Sequence, residues 1–200
     1  MPMAFRMRLF PVLALMAVLI SYVRYVRPRQ LSWGATPEEV IRPMPGDDLV
    51  FKPTFNASRA ITISAPPERI WPWLLQTGVT RAGWYSYDIL DLGRPSARHI
   101  IPELQNLAVG DILPMSPDGK HGIPVQAMDL PRSMVWGTPG NATWAWVVDP
   151  VTDGSTRLIS RVRSRYRWLS PSIAFSLLLE FGDFWMMRKM LLNIKERAEA

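Results

Sequence analysis

Hydrophobic positions along this chain fall into one unbroken run near the start, several alternating runs in the second half, and helical stripes before and after them. From Leu9 to Val23 (LFPVLALMAVLISYV) fifteen residues pass without a charge. Tyr25 and Val26 carry the run past Arg24 to about the lower limit for crossing a bilayer, roughly 17 residues. The pattern predicts a membrane anchor over residues 1–26, with contact to the membrane through residues 9–26. Arg24 fits near the end of such a helix, where its guanidinium reaches the headgroups along the apolar surface, and Tyr22 and Tyr25 suit the same depth. A secretory signal also has an apolar run but needs small residues at a cleavage site. YVRYVRPRQ follows instead, which favours an uncleaved single-pass anchor over a cleaved signal or a buried helix. Arg6 and Arg8 on one side nearly balance Arg24, Arg27 and Arg29 on the other, so the charge rule leaves only a slight lean towards a cytoplasmic C-terminal domain.

Residues 27–58 hold Pro28, Pro37, Pro43, Pro45 and Pro53 without periodicity, which predicts an extended connector. Arg59 to Ser64 (RAITIS) alternates as a first strand would, and it opens a folded domain over 59–200. APPERIWPWLLQTG then reads as a helix kinked at Pro72, with Ile70, Trp73, Leu74 and Thr77 as its buried stripe. Residues 81–111 read as mixed helix and loop. Beyond Asp111 come five short β runs, ILPM, IPVQAMDL, SMVWG, ATWAWVVDP and TRLISRVRSRYRW, forming an antiparallel meander with a hairpin at Asp153–Gly154.

The last of these strands puts Leu158, Ser160, Val162, Ser164 and Tyr166 on one face and Arg157, Ile159, Arg161, Arg163, Arg165 and Arg167 on the other. The second face is expected to be wet and cationic. It is either a solvated face balanced by neighbouring acids or a surface for anionic headgroups, and the first is favoured. The chain closes with Ser170 as cap, Pro171 at the first helical position, and a helix to about Arg197. Leu177, Phe181, Phe184, Met187, Leu191, Ile194 and Ala198 form its stripe, while Leu178, Leu179, Trp185, Met186 and Met190 overflow it.

Composition removes several function classes. Without cysteine there are no disulfides, thiolate metal sites or Cys nucleophile. The net charge of +6 would suggest nucleic acid, but five arginines and no acid lie in residues 1–29, which leaves the rest near +1. No nucleic-acid partner is expected. Only His99 and His121 are present and no glycine-rich phosphate loop occurs, so neither a metal nor a nucleotide cofactor is implied.

Strand, helix, antiparallel strands and one long final helix is the order of the helix-grip fold, an α+β arrangement in which a curved antiparallel sheet wraps the C-terminal helix. With RAITISAPPERIWPWLLQTG, RAGWYSYD, PELQNLAVGDILPM and the MMRKMLLNIKERAE end, the chain from Arg59 to Ala198 resembles the START-like SRPBCC superfamily, which includes pollen-allergen-type proteins, lipid-transfer domains and polyketide cyclases. The resemblance implies a hydrophobic cavity between sheet and helix and identifies no reaction.

Three readings follow. In the first, the domain binds or transfers a lipid or other hydrophobic small molecule, lined by Trp71, Trp73, Tyr85, Trp144, Trp146, Tyr166, Phe181 and Trp185; the bland alternative is ordinary core packing. In the second, a cyclase, dehydratase or hydrolase uses Tyr85, Asp88, His99 or Glu103 as acid and base, against simpler roles in packing and capping. In the third, the cavity is filled and the overflow of the last helix meets a partner.

Overall fold

The computed structural model describes residues 3–91, 95–166 and 173–200. The alternating runs form one curved antiparallel sheet of six strands: β1 (Phe55–Ile63), β2 (Ile112–Pro114), β3 (Gly122–Asp129), β4 (Ser133–Thr138), β5 (Ala142–Pro150) and β6 (Thr156–Ser164). Their order is β1-β6-β5-β4-β3-β2. The later strands are a meander, and β1 joins its far end by pairing with β6 from Phe55↔Ser164 to Ile63↔Thr156. Gly154 makes the β5–β6 turn with φ of +82°, as the Asp-Gly pair predicts.

Alternation then decides what each strand buries. Val148 and Leu158, Trp146 and Ser160, and Trp144 and Val162 stand opposite one another on the inner face. Against that face pack α4 (Pro67–Leu75) and the long α5 (Ile173–Glu199). Ile70, Trp73, Leu74 and Thr77 are buried as expected, and α4 carries Pro72 within it. On α5, Phe184, Met187, Leu191, Ile194 and Ala198 are buried, while Phe181 is exposed despite its place in the expected stripe. The expected cap and first turn at Ser170 and Pro171 lie outside the described residues. The element order and the wrapped helix are those of the helix-grip fold.

The stretch expected as an extended connector is packed instead, and β1 begins at Phe55 rather than Arg59. Its prolines are compatible with structure here: Pro37 sits in the first turn of α3 (Pro37–Ile41), where a missing N–H costs little, and Pro28 enters α2 (Arg27–Leu31) directly after a wider helical turn. Thr36 and Glu39 close a capping box at the start of α3. Met44, with Ala35 and Leu49, covers Ala60, Val135, Ala145, Val147 and Ile159 on the outer face of the sheet. This strap crosses β1 at Gly34, where φ is +72° and an added Cβ would lie 2.1 Å from the Ala60 carbonyl oxygen.

The strap also overturns the expectation of a wet cationic face. Arg161 is 3% exposed, and its guanidinium donates to the carbonyls of Glu39, Val40 and Arg42 as well as to Asp47 and Ser58. Arg157 pairs with Glu39 and Arg163 with Asp47. The balancing acids come from the strap, which leaves these three arginines unavailable to lipid headgroups.

Ahead of the strap, α1 (Met3–Ser21) runs through a π turn at Tyr22–Val26 straight into α2. Pro28 cannot donate to the carbonyl of Arg24, and the wider turn, in which the Arg27 N–H reaches the Tyr22 carbonyl, accommodates that loss without breaking the helix. The segment Pro11–Leu31 is long and apolar enough to cross a membrane, and none of it is buried in the fold.

Candidate functional site

The inner face is dominated by tryptophan. Trp144 stacks on Trp84 at 5.6 Å, and Trp136 meets Trp144 and Trp146 edge-on at 5.1 and 5.7 Å. Period-two spacing on β4 and β5 brings the last three to one face, and the Trp136↔Trp144 register sets them side by side. Trp136 and Trp146 are 0% exposed. A ring bordering a space large enough for water would retain accessible surface, so the interior at these rings is filled by side chains rather than open. Their indole N–H groups find no acceptor among the described residues, a cost of roughly 1–3 kcal/mol each. Trp144 differs: it is only half-buried, and its Nε1 donates to Ser160 Oγ at 2.8 Å.

The eight expected lining residues therefore separate into two groups. Trp71, Trp73, Tyr85 and Trp146 belong to the packed interior, and the half-buried Trp144 packs against it. There the Trp71 indole donates to the Pro131 carbonyl, and Trp73 meets Tyr85 edge-on at 5.8 Å beneath the Arg197 guanidinium. Tyr166, Phe181 and Trp185 lie instead at the end of the sheet where the apolar helix leaves the domain. Sequence reasoning missed Trp84 and Trp136 as members of the aromatic group. Trp136 could have been found, since the TPGN turn after SMVWG sets it opposite Trp144; Trp84 comes from a loop with no period.

That end of the sheet is joined to the apolar helix by charge. Arg27 Nε donates to Glu180 Oε1 at 2.5 Å, and the Tyr166 hydroxyl donates to Glu180 Oε2 at 2.8 Å while its ring stacks on Phe55. Burial, reinforced by the Glu180 carboxylate, pushes the Tyr166 hydroxyl well above the usual phenol range. Arg59 on β1 is 1% exposed, bonds Asp183 at 2.6 Å and the Gln30 carbonyl at 2.8 Å, and lies over the Phe184 ring. Beside Tyr166, a recess of about 480 Å³ is lined by Thr138, Gly140, Asn141 and Arg165.

The expected acid–base group is not assembled. Tyr85 points inward, but its hydroxyl accepts a 2.8 Å hydrogen bond from Gln76 and burial pushes it up to about 12, far from a working proton donor near neutrality. Asp88 accepts from the Ser96 N–H and hydroxyl, which fixes the loop. Asp88, His99 and Glu103 are exposed on the surface. The loop does carry one perturbed acid that sequence reasoning did not single out: Asp91, 5% exposed, is pushed up to about 6 by burial. Among the described residues no group of three or more His, Asp and Glu is arranged to hold a metal.

No family model and no curated protein matches the chain. Solved structures similar to it include the Polyketide_cyc-like protein Cgl2372 from Corynebacterium glutamicum, at 17% identity over 76% of this chain and 91% of that one, with a TM-score of 0.45. Protein BH1534 from Bacillus halodurans is similar at 12% identity, covering 72% and 96%, with a TM-score of 0.48. The Aha1 dimer from Colwellia psychrerythraea is similar at 17% identity over 72% and 96%, with a TM-score of 0.39. Strand order and the long terminal helix, rather than any shared residue, give this chain a helix-grip fold.

Proposed function

We propose that this is a membrane-tethered, non-enzymatic domain that binds an apolar small molecule or lipid at the tether end of its inner face. The observation that carries this reading is the half-buried Trp144, whose ring continues the stacked tryptophans outward to accessible surface. A flat aromatic floor backed by filled core offers an apolar molecule contact area at little ordering cost. The ligand site is thus shallow, not the deep cavity implied by resemblance, because Trp136 and Trp146 already occupy that space.

Native mass spectrometry of the full chain, released from mild detergent, tests it. An apolar adduct is expected on the native protein and is reduced at least tenfold in Trp144→Ala with the circular dichroism unchanged. Unliganded mass alone in both proteins would sink the reading. The zero exposure of Trp136 and Trp146 favours a second reading, an anchored interaction domain with no small-molecule ligand, which predicts that outcome.

A further inference from the structure

The outward side of α5 near its start carries apolar residues that nothing among the described residues covers. Leu178 is 66% exposed, Phe181 48% and Trp185 43%. They recur at helical spacing, and the Phe181 and Trp185 rings meet at 6.5 Å, so they form one stripe rather than scattered side chains. Leu179 is exposed beside it, and Phe51, 70% exposed with the Lys52 ammonium over its ring, stands on the strap shortly before β1.

Their position relative to the apolar helix identifies what covers them. The strap contacts β1 at Ala60 through Trp33 and at Arg59 through Gln30, and Arg27 then reaches Glu180, which also holds Tyr166 against Phe55. Read backwards from Trp33, the chain therefore passes the middle of β1, reaches its first residue, and continues into the apolar helix. Glu180 lies within one turn of Leu178, Leu179 and Phe181, and the apolar stretch ends at Val26, next to Arg27. The stripe thus lies beside the point where the helix would pass into hydrocarbon. Tryptophan and phenylalanine with flanking cations suit the headgroup layer, and exposed Lys52 and Arg165 lie at this same end.

We infer that the first half of the exposed side of α5, Leu178 to Trp185, lies in the headgroup layer of the bilayer crossed by the apolar helix, so that the domain is seated on the membrane. This deepens the membrane-tethered half of the proposed function and does not depend on any ligand at Trp144.

The native chain contains no cysteine, so a single introduced one carries the only spin label. The full chain is reconstituted in vesicles of phosphatidylethanolamine and phosphatidylglycerol with Val18→Cys, Leu178→Cys, Trp185→Cys or Glu196→Cys, and accessibility to oxygen and to a water-soluble nickel chelate is measured. Val18 should be deep, Leu178 and Trp185 at headgroup depth with nickel accessibility at least threefold below Glu196, and Glu196 in water. Leu178 and Trp185 matching Glu196 while Val18 stays immersed would overturn the seating and leave the tether standing. Val18 in water would remove the tether and the seating together. Dipolar broadening between copies at Leu178 would show a second chain on the stripe and would likewise overturn it.

Discussion

Arg161 of β6 and Asp47 of the strap meet at 2.7 Å on the outer face of the sheet, with the arginine almost wholly enclosed by strap carbonyls. An ion pair in such a place adds less through its own attraction than through the polar groups left stranded when one member is lost. Arg161→Ala would leave three carbonyls without their donor, while Arg163 still holds Asp47. The expected loss is about 2–4 kcal/mol. Denaturant unfolding of the detergent-solubilised chain measures it, and faster proteolysis within 36–53 should accompany it.

The strap belongs to the folded unit, so truncation is position-sensitive. Removing residues 1–26 should leave a folded, soluble domain. Starting at Arg59 removes the first residues of β1 and uncovers Ala60, Val135, Ala145, Val147 and Ile159, and this shorter chain should aggregate. Expression and gel filtration of the two fragments decide the matter; equal solubility would contradict the packing role of the strap.

Gln76 is a buried junction: its Nε2 donates to the Tyr85 hydroxyl and the His99 carbonyl, and its Oε1 accepts from the Ile101 N–H and Gln105. Gln76→Leu keeps the volume but strands those partners, with an expected loss of about 2–4 kcal/mol. Tyr85→Phe removes one acceptor and should cost about 1 kcal/mol. A thermal-shift series on the two variants tests the ordering.

Asp91 gives a pH dependence of definite sign. Its folded value near 6 lies above the unfolded carboxyl value, so the native chain holds the extra proton and stability falls as pH rises between about 4 and 6. Asp91→Asn removes the ionisation, flattening that part of the profile and stabilising the fold at pH 7.5 by roughly 1–3 kcal/mol. Unfolding midpoints at pH 4.5, 6 and 7.5 for both proteins provide the check.

The strands were legible because inner and outer residues alternate over eight or nine positions in β3, β5 and β6, and the core of α5 because Phe184 to Ala198 keeps helical spacing. The strap was not, since it binds through carbonyls, prolines and two acids, none of which makes a period. Its partners on β6 lie far away in the chain, Val40 and Arg161 being separated by 121 positions. Counting alternate positions shows that Trp144 and Trp146 face inward but not whether their rings meet other rings or leave a gap, because that depends on volumes brought from several elements. Tyr85, Asp88, His99 and Glu103 are neighbours in sequence, yet they sit on an irregular stretch where the backbone turns each side chain its own way.

The helix that starts at Met3 continues without a break to Leu31, and Arg27, Gln30 and Trp33 are each bonded to the body of the protein. It is a mast, not a leash. Were that helix to cross a bilayer, a domain mounted this way could not tumble or sample distance from the lipid surface as a flexibly linked one does; its height and rotation would be fixed together, and any molecule reaching it would arrive from a direction set by the mounting.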